Sequence, residues 1–512
     1  MSPLDSSAKF GPKHAPGLGK NDHIVHSIQT FLSMENDGDD TQPKGASIQD
    51  LPVELLILIF ANCHANFKLE QDLHPQTSDP PWHFLSGSLT KDMKPTSDLD
   101  RFRDLRSQAR FPSALAGVSQ FWSDILSLTP VYWSELIFYL DSKSNALEDF
   151  AARLSWSANL PIDIIILGRA YKPSFSYGLS RETQQLSLAM ELLSPHVHRC
   201  RSILVETRLA SSLSVVQDTI FQQDSNELLS SVCLMSGFAD AKFSVATRCM
   251  PALRTIPSLK SLAICGRDFY NLHGDWLPLQ ANLQQLVISD CHLSNLNFEY
   301  VLEAIEGLEN LENLKFKNVY FKANQFMVSS SIMINIFALH LEDVASATIQ
   351  ELFRLCVFDE LESLHFTRCT VDRFPSCEFL VLEDIQSIPN SPLELTLGDW
   401  DGLSLWIGNY RGFTDSFLDA FRRIDGYTSE FKCPWMENLY LYGLPAVSVK
   451  KLKKLIKRRN QSVDYDDPEW RNKEYDGPVI SKLSIERCTI VELTLEDMEW
   501  FRSRLLEFIY IP

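Results

Sequence analysis

The chain has 512 residues, 45% of them hydrophobic and 22% charged, which is enough to bury a substantial core. Asp and Glu total 66 against 47 Lys and Arg, leaving a formal charge of −19. That balance argues against nucleic-acid binding by whole-chain charge, because neutralising phosphates needs clustered cations. The densest apolar run, Leu55 to Ala61, falls far short of the roughly 20 residues a membrane span requires, and residues 1–30 hold no apolar stretch of signal-peptide length. The 11 cysteines are odd in number, scattered from Cys63 to Cys488 and free of any CxxC pair. Reduced, mostly buried thiols in a cytoplasmic or nuclear protein that is not secreted are the expectation.

Residues 1–46 are rich in Ser, Pro, Gly, Lys and Asp without sustained periodicity and predict a disordered leader. Asp50 then offers an N-cap, and Pro52 falls in the first turn of a helix, where its missing N–H is harmless. From Leu55 to Phe60 that helix is apolar on every side. A surface helix normally carries one apolar stripe. This one is therefore expected to bury one face in its own domain and to offer another to a partner. Residues 66–110 carry Pro75, Pro80, Pro81 and Pro95 among Asp, Ser and Thr, and predict a disordered insertion. Val118, Phe121, Trp122, Ile125 and Leu126 follow at helical spacing, Thr129-Pro130 ends the helix, and Tyr132-Trp133 packs back. Residues 47–136 thus make a small all-α domain.

Beyond it the chain repeats itself, the mark of a solenoid. The clearest unit is Leu283-x-x-Leu286-x-Ile288-x-x-Cys291-x-Leu293, which returns from Leu311, Leu361 and Ile480. Looser copies begin at Leu259, Leu339 and Met436. Leu262, Leu286, Leu314, Leu339 and Leu364 fall at steps of 24, 28, 25 and 25. Each unit predicts a short strand with alternate residues inward, a bend where Cys or Val enters the core, and a helical return leg. Fainter strand cores are expected at Ile137-x-Tyr139, Ile164-x-Ile166 and Ile203-x-Val205, with a helix over 146–158. After Leu395 the spacing widens to 44 residues, to Leu439 and then Leu483. The predicted class is α/β, with a leucine-rich-repeat solenoid over 137–512: a curved parallel sheet with helical return legs.

Leu51-Pro52-x-Glu54-Leu55-Leu56-x-x-Ile59-Phe60, followed after a gap by Val118-x-x-x-Trp122 and Thr129-Pro130-x-x-Trp133, resembles the F-box motif as found in large fungal F-box families with leucine-rich repeats. The resemblance covers residues 48 to about 136. It implies a domain that docks on the Skp adaptor of a cullin–RING ubiquitin ligase while the repeats hold a protein substrate. Leu51, Pro52, Leu55 and Ile59 would meet the adaptor, and Phe60, Val118, Trp122 and Trp133 would form the domain core. Where many relatives carry Cys-Arg-Arg before the Trp, this chain has Ser119-Gln120-Phe121. The alternative is a repeat-based interaction scaffold whose F-box no longer engages the ligase.

No GxSxG elbow, GxxxxGK[ST] loop, HExxH or strand-borne GxGxxG occurs, so no catalysis by this chain and no cofactor is expected. His196-x-His198-x-Cys200 has the residue types of a metal site, but with no fourth ligand nearby it reads as a loop, and no metal is assigned. The basic run from Lys450 to Arg459, interleaved with Val449, Leu452, Leu455 and Ile456, predicts a repeat helix with a solvated cationic face or a site for an acidic partner. On the repeat strands, Tyr440, Tyr442, Lys315, Lys317 and His365 take outward positions by the period of two and are the expected substrate-facing residues.

Overall fold

A computed structural model describes residues 51–73, 111–140, 146–168, 179–221, 226–238, 256–266, 281–291, 298–321, 331–371, 373–386, 393, 397, 400–423, 431–445, 447–467, 469–472, 479–489 and 493–512. The expected leader over 1–46 and most of the expected insertion, from 74 to 110, lie outside these residues. The chain divides into two compact units, one containing residues up to 78 and 97–132, the other running from Trp133 to the end with residues 79–96.

The described part of the first unit is helical: α1 (Val53–Leu73), α2 (Ser113–Ala116) and α3 (Gln120–Ser127). Helix α1 runs on through residues 66–73, where sequence composition placed the start of the insertion. Leu56 and Phe60, one turn apart, are its buried residues. Phe60 meets Trp122 of α3 edge-to-face at 5.1 Å, beside buried Ile125 and Leu126. A second aromatic group joins His64, Phe111 and Tyr132, with ring separations of 5.0 to 5.4 Å. Ser119 caps α3, its hydroxyl accepting from the Trp122 N–H.

The second unit is built on a parallel sheet of 14 strands in strict sequence order. These are β1 (Glu135–Tyr139), β2 (Ile162–Leu167), β3 (Cys200–Leu209), β4 (Ser231–Phe238), β5 (Ser261–Cys265), β6 (Gln285–Cys291) and β7 (Asn313–Val319), then β8 (Ala338–Glu342), β9 (Ser363–Thr367), β10 (Phe379–Glu383), β11 (Ser404–Gly408), β12 (Asn438–Tyr442), β13 (Lys482–Glu486) and β14 (Glu507–Ile511). Return legs carry α4 (Ala146–Trp156), α5 (Leu179–Leu193), α6 (Ser214–Phe221), α7 (Phe298–Glu306), α8 (Ser346–Leu355), α9 (Asp415–Arg422), α10 (Val449–Arg459) and α11 (Leu495–Arg502). Sequential parallel order with helices between strands is that of a solenoid-like repeat.

Register explains the leucine spacing. Leu262, Leu286, Leu314, Leu339 and Leu364 stand side by side across β5 to β9, each fully buried. The row continues through Leu380, Leu405, Leu439 and Leu483. At the strand ends, Asp290, Asn318, Asp343, Arg368, Asp384, Asn409, Gly443 and Arg487 all adopt positive φ between 49° and 59°. Asp and Asn tolerate this left-handed conformation better than most residues, and Gly adopts it freely. The bend turns the next residue inward, so that Cys291, Val319, Cys369 and Leu444 are buried. Corner N–H groups donate to the neighbouring strand, as Arg368 to the Glu383 carbonyl and Gly443 to the Glu486 carbonyl.

Three expectations need correction. In β1 the inward residues are Leu136 and Phe138, not Ile137 and Tyr139, because an offset of one residue exchanges the two faces of a strand. Leu395 lies outside the described residues, and the interval credited to wide spacing contains a rung at Leu405, with another before it at Leu380. Trp133 belongs to the second unit, where it is buried against Trp156 at 4.7 Å with the Arg153 guanidinium over its ring.

Candidate functional site

Helix α1 is apolar around its girth but packs along only one edge. With Leu56 and Phe60 buried, Leu55, Leu58 and Ile59 form a stripe at i, i+3 and i+4 that remains exposed, Leu58 to 58%. Val53 and Ile57 are exposed on its flank. Pro52, just before the helix, is exposed and Leu51 half-buried. Around α3, Phe121 and Leu128 are exposed as well, Leu128 to 75%. Val118, expected in the domain core, is 55% exposed, because α3 starts only after Ser119 and its buried edge is Trp122, Ile125 and Leu126. Of the expected core residues, Phe60 and Trp122 pack together. Single exposed apolar residues are ordinary on protein surfaces, whereas a contiguous aliphatic stripe on one helix marks an interaction surface.

The sheet face opposite the buried leucines is the second candidate. Lys315, His340, His365, Val381, Trp406 and Tyr440 occupy one cross-strand row there. Lys315, His365 and Tyr440 thus share the face opposite the leucines, but that face is not freely open. Lys315 is only 4% exposed and Tyr440 8%. Both were expected to face a substrate; instead neighbouring long side chains on strands about 4.8 Å apart cover them. Lys317, His365 and Tyr442 are half-buried.

Charge on this face is organised around Glu342. Its carboxylate accepts Lys315 Nζ at 2.7 Å, Lys317 Nζ at 3.4 Å and the Arg368 guanidinium at 2.6 Å, and Arg368 also pairs with Asp343 at 2.6 Å. Burial alone would raise the Glu342 pKa, but the cations, Lys315 foremost, outweigh it and hold the group at about 2. Beside them His340 Nε2 meets the Thr367 hydroxyl at 3.1 Å, and its ring lies 5.4 Å from that of His365. His365 Nε2 is sealed from solvent without a hydrogen-bond partner. Burial, helped by the Lys315 charge, pushes the His365 pKa down to about 4 and keeps the ring neutral near pH 7.

Further along the face the charge gives way to aromatic surface. Val381, Trp406 and Tyr440 form a cluster with Phe379 and Tyr442 packed against it. The Trp406 indole stacks on Tyr442 at 5.8 Å and lies across Gly408, where a Cβ would come within 2.0 Å of the ring. Lys482 sits over Tyr440 at 5.3 Å and Arg487 over Tyr442 at 5.7 Å. Sequence reasoning found the two tyrosines and missed Phe379, Val381 and Trp406, because β10 and β11 lack the leucine three residues ahead of the row. Alternation in Phe379-Leu380-Val381-Leu382 and Ser404-Leu405-Trp406-Ile407 was the available signal.

At the expected loop of His196, His198 and Cys200, the first two lie in a helical turn over Ser194–Arg199 and the Cys200 thiol donates to the His196 carbonyl. Among the described residues no group of His, Cys, Asp or Glu is arranged to hold a metal ion, and no helix is long and apolar enough to cross a membrane. Searches of protein-family models and of curated proteins return no match to this chain.

Proposed function

We propose that this chain is the substrate-recognition subunit of a Skp–cullin–F-box ubiquitin ligase. In this reading the first unit docks on the Skp adaptor and the repeat sheet holds a target protein. The observation that carries it is the bare stripe of Leu55, Leu58 and Ile59 on α1, next to exposed Pro52. Covering one Leu or Ile is worth about 1.5–3 kcal/mol, so a partner that sheathes the stripe gains enough to offset part of the cost of association. Phe121 adds apolar surface where related motifs carry arginines, so adaptor contact at that corner would be apolar rather than ionic. Work is then done by position: the target is held near the charged ubiquitin carrier, raising effective concentration without an active-site residue from this chain.

The test is co-expression with a Skp-type adaptor. The wild-type chain is expected to co-purify, and Leu55→Asp with Ile59→Asp to lose at least about 3 kcal/mol of binding, roughly a hundredfold, with an unchanged melting temperature. Undiminished co-purification of the double variant overturns the docking surface. Failure of the wild type to bind any such adaptor overturns the ligase reading and leaves an interaction scaffold.

A further inference from the structure

Helix α10 gathers positive charge on a chain whose formal charge is −19. Its buried edge is Leu452, Leu455, Ile456 and also Arg459, so the other cations are what it presents outward. Two of those are neutralised, Lys451 by Asp419 of α9 and Lys453 by Asp497 of α11 at 2.5 Å. Lys450, Lys454, Lys457 and Arg458 are exposed and have no carboxylate at ion-pair distance among the described residues. Lys450, Lys454 and Arg458 succeed one another at i, i+4, a spacing at which like charges repel. Arg423, exposed at the end of α9, adds to the same sign.

These cations border a groove rather than a flat surface. An open pocket of about 890 Å³ has Phe413, Pro445, Val447 and Val449 as apolar wall and Lys450, Lys453, Lys454 and Lys457 along its rim. An adjoining hollow of about 360 Å³ shares Lys454 and Lys457 and is bounded by Arg422, Arg423 and Arg458. Two carboxylates, Asp415 and Asp497, also line the larger pocket.

We propose that this groove docks an acidic polypeptide segment that carries an apolar side chain. The cations without a carboxylate partner call for several negative charges, and the accessible Pro445 and Val449 wall calls for an apolar group between them. Asp415, exposed at the pocket, sets the polymer: it repels the unbroken negative charge of a nucleic-acid backbone or an anionic membrane, whereas a polypeptide places an uncharged residue opposite it. The site lies wholly in the second unit and stands independently of the adaptor reading.

The experiment is fluorescence anisotropy with the full chain and a short fluorescein-labelled Glu/Asp peptide with a central Leu. Binding is expected at low salt, weaker when salt is raised about tenfold and weaker when the Leu is replaced by Ser. The charge reversal Lys454→Glu with Lys457→Glu is expected to weaken it at least about tenfold. Both side chains are exposed, and retention of the wild-type circular dichroism melt shows the fold intact. The milder pair Lys454→Gln with Lys457→Gln is expected to fall between the two and serves if the reversal does not fold. The proposal is overturned if the peptide does not bind at low salt, if both variants bind as the wild type does, or if a single-stranded oligonucleotide or a phosphatidylserine vesicle binds this groove more tightly than the peptide.

Discussion

Replacing Glu342 by Gln would remove the one negative charge shared by Lys315, Lys317 and Arg368 while keeping the side chain's shape. At 2.7 Å and an effective dielectric constant of about 20, the Lys315–Glu342 attraction is about 6 kcal/mol before desolvation is subtracted. Lys315 is 4% exposed, so it would be left as a buried ammonium facing a neutral amide, and the net loss should be about 3–5 kcal/mol. Urea unfolding followed by tryptophan fluorescence at about pH 7 measures this as a fall in the midpoint. The acid limb supplies a second reading. Because the folded chain holds Glu342 at about 2, below the ordinary 4.5, its contribution is complete above about pH 4.5 and is lost as the pH falls toward 2. The Gln variant should lack that part of the acid slope. Lys315→Met with Glu342→Leu, which removes both buried charges, should be more stable than Glu342→Gln alone. A loss below about 1 kcal/mol, or a double variant worse than the single, would refute the account of Glu342 as the hub of this face.

Gly443 has φ +59°, and a Cβ there would lie 2.3 Å from Asn409 Oδ1, so Gly443→Ala should cost about 1–2 kcal/mol in backbone strain plus a clash that Asn409→Ala relieves, both read as midpoint shifts. Buried Arg459 donates to the carbonyls of Lys432 at 3.0 Å, Cys433 at 2.7 Å and Pro434 at 3.2 Å, and burial lowers its pKa to about 10. Arg459→Met should therefore destabilise by about 3 kcal/mol, with Lys unable to restore the fan of donors, as denaturant titration would show. Burial pushes the thiols of Cys200, Cys356, Cys369, Cys377 and Cys433 up to about 12. Iodoacetamide at about pH 8 should leave all five unlabelled in the folded chain and label them in urea, as counted by mass spectrometry.

The repeat was legible because burial on one side of a strand demands an apolar residue at every second position, and stacking demands that the same position recur from strand to strand. Leu262 to Leu364 satisfied both conditions and fell into one row. Strands β10 and β11 keep the alternation but begin from Cys377 and Gly402 where other units have Leu, Ile or Met, so alternation alone marks them in the sequence, and the pairing of Leu364 with Leu380 and Leu380 with Leu405 places them in the row. The bare stripe on α1 could be foreseen because seven successive apolar residues cannot all face one small core. What sequence could not supply was the depth of the outward row. Lys315 and Tyr440 alternate as surface residues do, yet they are covered by neighbours far away in the chain, and those neighbours are known only once register is. Arg459 was miscounted for the same reason: its helical position looks solvent-facing until the carbonyls of residues 432–434 are found around it.

At the left-handed corners the backbone N–H groups of Arg368, Asn409 and Gly443 donate to the following strand, whatever the length of the segment that joins the two. Leu364 and Leu380 are joined by a short excursion and Leu439 and Leu483 by a long one carrying the cationic helix, yet both pairs sit level in the sheet. The spine thus works like a rail on which loops of any length can hang. New binding elements could be inserted between strands without resetting the alignment of those already present.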